Sequence, residues 1–260
     1  MTHDQFEKIY KSNEEKFLNV IKFISENRRF KTKADAIINA KAIHNKGPAK
    51  ERIRIIFIDA LSASGGANLT RNGEACKFFN HKINQLNDTL QVDLQTFYKC
   101  FDIKINSIKD LFEYLWSSKE IVNFRKKKSA LFLYKLNSIQ TDPYLDQKIF
   151  TNYNIEELDL FIPVDVVITL VINRIFNVPD NLLLDQYKDF DLINTFFKSV
   201  LPDKFLLIED FWFWGYFTTK VIGIGRTFEF NHAKFESSDL INPDRENEAV
   251  IKDFLKIIKN

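Results

Sequence analysis

Two stretches of this sequence place reactive side chains where they could act. Arg125-Lys126-Lys127-Lys128 stands directly ahead of the apolar run Ser129-Ala130-Leu131-Phe132-Leu133-Tyr134. That order puts basic residues just before or within the first turn of a helix. Backbone N–H groups there can hold a phosphate, and cations oppose the helix dipole until an anion neutralises them. A lysine crowded by other cations also gives up its proton more easily, one way to make an amine nucleophilic near neutral pH. Further on, Pro163-Val164-Asp165 precedes a run in which Val167, Leu170, Val171 and Ile175 recur at helical spacing. Asp165 therefore reads as a residue at or near the N-cap of a mostly buried helix. A carboxylate at that electropositive end can stay ionised beside a cleft, or it can serve only as the cap.

The elements that must position these residues are helical. Of 260 residues, 45% are hydrophobic and 14% aromatic, enough for a large core in one big domain or two tightly packed lobes. Only seven glycines and six prolines argue against a turn-rich sandwich or barrel. Residues 5–26 read as an amphipathic helix with Phe6, Ile9, Phe17, Val20, Ile21 and Ile24 on its stripe, and 34–44 as a second, short one. Ile53, Ile56, Phe57, Ala60 and Leu61 fit a helix better than a strand. Residues 62–73 read as a polar loop, followed by helices over 74–86, 93–101, 107–115 and 118–123, the last opening at Ser117-Ser118. Val221-Ile222-Gly223-Ile224-Gly225-Arg226 reads as a turn or small hairpin leading to a strand-like Thr227–His232. A compact bundle of ten or more helices follows.

Two cysteines, Cys76 and Cys100, are too few for a disulfide framework, a four-cysteine zinc site or an iron–sulfur cluster. His3, His44, His81 and His232 are scattered, so no metal constellation and no cofactor is expected. A polar N-terminus and the lack of a long uncharged apolar run favour a cytoplasmic, intracellular protein with no membrane partner. The net charge of +2 gives no general attraction to polyanions, so nucleic-acid binding must come from local clusters. Besides 125–128, one runs from Arg28 to Arg54, with nine basic residues against the two acids Asp35 and Glu51.

Lys128-Ser129-Ala130 in an apolar helix, then Pro163-Val164-Asp165 at the start of another, resembles the helix-hairpin-helix DNA glycosylases that also act as lyases. Ile208-Glu209-Asp210-Phe211-Trp212-Phe213-Trp214-Gly215 resembles a helix of the archaeal branch that removes 8-oxoguanine. The resemblance covers roughly residues 108–216. Where members carry glycines in the hairpin, Asn123-Phe124-Arg125-Lys126-Lys127 has none, and the Lys128–Asp165 connection is longer, with an insertion around Thr141–Asn154.

This resemblance implies an all-α, two-lobed fold with the active site in the cleft. One lobe is central, at about 60–155, and the other is built from about 1–59 plus 156–260. It implies a monomeric, nucleoid-associated base-excision-repair enzyme acting on double-stranded DNA that contains a damaged base, an oxidised purine such as 8-oxoguanine. Lys128 would be the Schiff-base nucleophile, within a few ångströms of Asp165, which assists it. Asp210, Trp214 and Trp212 would line or stack on the extruded base, and Arg125, Lys126 and Lys127, with the 28–54 cluster, would grip phosphates. Two other classes compete: a helical nucleic-acid-binding protein without catalysis, and a metal-dependent nuclease, for which no Asp…Glu-x-Lys pattern on a strand is evident.

Overall fold

A computed structural model describes residues 1–43, 47–63, 69–143, 145–146, 148–221 and 225–259, apart from the side chains of 41–43, 69–71, 220–221 and 225–226. Helices α1 (His3–Glu26), α2 (Arg28–Ile43), α3 (Ala49–Ser62) and α4 (Leu69–Ile83) open the chain. Next come β1 (Val92–Asp93), α5 (Leu94–Lys99), α6 (Ile108–Ser117), α7 (Lys126–Thr141) and β2 (Phe150–Thr151). The remainder is α8 (Val166–Ile175), α9 (Phe190–Val200), α10 (Asp210–Tyr216), β3 (Thr218–Val221), β4 (Gly225–Phe230), α11 (His232–Glu236) and α12 (Arg245–Lys259). The described residues are thus predominantly helical. Two small strand pairs accompany the helices, β1 with β2 in parallel and β3 with β4 antiparallel. Among the described residues no helix is long and apolar enough to cross a membrane.

The chain forms two compact units, Met1–Ile37 with Val164–Asn260, and Ile38–Pro163. The second unit takes more of the chain than the expected 60–155. Helix α3 packs on α7 and α4, which carries residues 38–59 into it, and Phe161 stacks on Phe112 of α6 at 3.9 Å, which carries 156–163. Its centre is aromatic: Phe57 stacks on Phe79 and Phe124 at 3.7 and 4.7 Å, with the Phe132 ring edge-on to Phe57 and Phe79. The first unit has its own aromatic centre, where Phe6, Tyr10 and Phe17 of α1 meet Phe176, Phe196 and Phe197. Such rings bury large apolar areas and add about 0.5–1.5 kcal/mol per favourable pair.

Local chemistry sets the ends of these helices. Thr2 and Gln5 form a reciprocal capping box on α1, Asp93 caps α5 and Ser107 caps α6. The stripe of α1 is buried as its spacing implies, with Tyr10 buried where Ile9 was expected. Helix α2 starts at Arg28 rather than at 34. Helix α4 starts at Leu69, so the expected loop is shorter, and its segment 64–68 lies outside the described residues. Residues 118–123 are a turn, not a helix. Ser117 and Ser118 close α6 instead of opening a new helix: Ser117 Oγ donates to Glu113 O and the Ser118 N–H to Tyr114 O. The strands β3 and β4 bear out the hairpin, and its turn at 222–224 lies outside the described residues.

Candidate active site

The second unit presents the lysines. Between α6 and α7 the turn bends at Asn123, whose φ of 68° lies in the left-handed region. Asparagine tolerates that region far better than most residues, so it makes a turn that glycine would otherwise supply. Its side chain also donates to Asn72 Oδ1 at 3.2 Å. Arg125 is the N-cap of α7, makes no side-chain capping bond and is exposed. Lys126 lies over the ring of Trp116, its Nζ 4.7 Å from the centroid, and Lys127 is half-buried. Lys128 points inward and is 8% exposed. Among the described residues it makes no hydrogen bond or ion pair. Burial lowers its pKa, and the neighbouring Lys127 cation lowers it further.

Asp165, Asp210, Trp212 and Trp214 belong to the first unit. Asp165 is the N-cap of α8: its Oδ1 accepts from the N–H of Val167 at 2.8 Å and of Ile168 at 2.9 Å. The capping reading of Asp165 therefore holds, and the cap also fixes the carboxylate at the helix mouth. Helix α10 packs on α8 through Gly215, where an added Cβ would lie 2.7 Å from Val167 Cγ1 and 2.8 Å from Val171 Cγ2. This glycine sets how closely the helix carrying Asp210 and Trp214 approaches the helix that Asp165 caps.

Trp214 needs correcting as a stacking platform. It is fully buried, with Phe23, Phe30, Phe213 and Phe254 packed around its ring, because α10 is apolar on nearly every face. Trp212 is half-buried against Tyr216, 5.3 Å between ring centroids. Asp210 is 1% exposed and lies in a cluster of charges that sequence reasoning missed. Lys31 Nζ is 2.5 Å from Asp35 Oδ1 and 3.0 Å from Glu209 Oε2, and Arg28 Nε is 3.7 Å from Asp210 Oδ2. Burial works against the charge on Lys31, but Glu209, Asp35 and Asp210 outweigh it and raise its pKa. Burial pushes Asp210 up to about 7 against the pull of Lys31 and Arg28, and it raises Asp35 as well. With three carboxylates facing two cations, one proton on Asp210 balances the cluster near neutral pH.

Three buried polar atoms here lack a hydrogen bond, both Asp210 oxygens and Trp214 Nε1, whereas Glu209 Oε2 is held by the Lys31 ammonium at 3.0 Å. A buried polar atom left without a partner costs about 1–3 kcal/mol, so these three call for one. The only sequence signals for the cluster were Lys31 and Asp35 at helical i, i+4 spacing and the adjacent acids Glu209 and Asp210.

Part of the expected phosphate grip of residues 28–54 is engaged within the protein, whereas Arg28 stays half exposed. Lys31 is buried with its carboxylates, Arg29 pairs with Glu246 at 2.7 Å and Lys50 with Asp88 at 2.6 Å. Arg52 is buried and donates to the carbonyls of Leu90 and Lys148, while Arg54 meets Glu51 and Asn84. Counting like charges along the chain missed the acids and carbonyls that the fold sets against them. Lys33 is exposed, and the side chains of Lys41 and Lys46 lie outside the described ones. Among the described residues no group of three or more His, Cys, Asp or Glu side chains is arranged to hold a metal. Compared with family models, curated proteins and solved structures, the chain matches none.

Proposed function

We propose that this protein is a DNA glycosylase with abasic-site lyase activity, excising an oxidised purine such as 8-oxoguanine through a Schiff base on Lys128. The observation that carries this reading is the state of Lys128: an amine in the first turn of α7, 8% exposed, without an ion-pair partner among the described residues and with its pKa lowered. A purely structural buried lysine ordinarily finds a carboxylate, as Lys31 does. A lowered pKa moves the amine toward the unprotonated nucleophile that imine chemistry needs. The Lys128 nitrogen bonds to C1′ as the glycosidic bond breaks, and the electron pair departs with the base, which takes up a proton. Ring opening gives an iminium, loss of a C2′ proton expels the 3′ phosphate, and water frees the lysine. Asp165, fixed at the mouth of α8, assists by taking the proton of the amine or by stabilising the cationic sugar. Asp210, whose oxygens accept no hydrogen bond, serves the N–H edge of the purine, and Arg125 with Lys126 and Lys127 meets backbone phosphate.

The test is duplex DNA with a single 8-oxoguanine opposite cytosine, incubated with sodium borohydride. Wild type should give a covalent adduct, and Lys128→Gln should lose it entirely while still binding DNA. A blank from wild type across a panel of lesions would overturn the reading. A second reading, nucleic-acid binding without catalysis, is favoured by the enclosure of Trp214 in the core, and that blank together with retained binding would establish it.

A further inference from the structure

The corner between α1 and α2 covers the face of α10 that carries Asp210 and Trp214. Phe23 meets the Trp214 ring edge at 5.5 Å between centroids and Phe30 at 6.4 Å, while Arg28 and Lys31 bring their cations to Asp210. Asn27 makes the bend, its backbone N–H and its side-chain amide both donating to the Phe23 carbonyl. Under this cover lie the Asp210 oxygens and the Trp214 Nε1, without hydrogen bonds.

The ties holding the cover are unequal. Lys31 is deep, with contacts of 2.5 and 3.0 Å to Asp35 and Glu209. Arg28 is half exposed, and its single contact with Asp210 is 3.7 Å, beyond hydrogen-bond reach. An exposed guanidinium exchanges one long contact for a phosphate easily, because phosphate accepts two parallel N–H bonds from the planar fork.

We propose that Arg28 is a positioning residue that couples capture of a nucleic-acid phosphate to the uncovering of Asp210. The phosphate draws the guanidinium outward, the Phe23–Lys31 corner loosens, and the carboxylate becomes available to a base. The coupling rests on the excision reading for the identity of the base, and not for the capture of phosphate.

Full-length wild type, Arg28→Gln and Arg28→Lys are compared in two measurements. In the first, undamaged duplex DNA is added while amide hydrogen exchange is followed over residues 23–31. Wild type should exchange faster there once DNA is bound. Arg28→Gln should exchange at the faster rate without DNA and gain nothing from it, with its salt dependence of DNA binding lower by about one charge. Arg28→Lys should keep the response to DNA. In the second, free 8-oxo-2′-deoxyguanosine, which carries no phosphate, should bind Arg28→Gln roughly threefold tighter than wild type, the scale of one weak ion pair released. A merely structural Arg28 would weaken both ligands together, and that result overturns the proposal. So does exchange over 23–31 that is indifferent to DNA in wild type. If only the excision reading fails, no lesion is excised and the nucleoside binds no variant, while the exchange and salt responses to DNA persist and uphold the coupling.

Discussion

Asp210 shows how a single buried proton ties the candidate site to stability. Its pKa in the folded chain, about 7, lies above its ordinary 3.8. Between those values the native state keeps a proton that the unfolded chain has released, so Asp210 makes the protein less stable as pH rises through that window and adds no further slope above it. Asp210→Asn removes this contribution. Urea unfolding at pH 5 and pH 8 should show wild type losing on the order of 2 kcal/mol more than the variant between the two. An equal loss in both proteins would sink the assignment. Residues at this scale were unevenly legible. Lys128 and Asp165 could be singled out because each stands at the junction between a polar start and an apolar helix. Lys31 was counted with the phosphate-binding residues because its partners Glu209 and Asp210 are far away in sequence.

At the scale of elements, caps and close approaches decide where the functional groups stand. Asp165→Ala should cost about 1 kcal/mol by uncapping α8, and Asp165→Asn, which keeps an acceptor for the Val167 and Ile168 amides, should cost much less. In the excision reading both variants lose turnover, so the pair separates the carboxylate's charge from its cap, as thermal unfolding and single-turnover cleavage together would reveal. Gly215→Ala forces a methyl against Val167 and Val171 and should cost about 1–3 kcal/mol, with Val167→Ala in the same chain restoring part of it. Additivity of the two substitutions in chemical denaturation would count against the contact. Helices α1, α3, α7 and α8 were legible because apolar spacing and capping residues agree in them. The 118–123 turn was not, since Ser117-Ser118 can open one helix or close another, and the choice lies in hydrogen bonds to Glu113 and Tyr114. The β1–β2 pair escaped notice too, because two-residue strands are too short for periodicity to register.

For the whole molecule, the division into units sets an order of events. Ile38–Pro163 is continuous, whereas the other unit must join Met1–Ile37 to Val164–Asn260 across it. Closing that long loop carries more entropy than any closure within the continuous unit, so α3 and α7 should acquire protected amides before α1 and α12 do. Pulse-labelled hydrogen exchange during refolding measures this, and simultaneous protection of all four helices would contradict it. The same arrangement bears on synthesis by the ribosome, where the chain emerges from its N-terminus. Helix α1 leaves the tunnel early with Phe6, Phe17, Val20, Ile21 and Ile24 along one side, while α8 and α12, which it packs against, are made later. At ordinary ribosomal elongation speeds the wait for α12 is on the order of ten seconds. Through that interval the greasy side of α1 has no native surface to cover it, which makes the nascent chain, rather than the finished protein, the natural client of a chaperone.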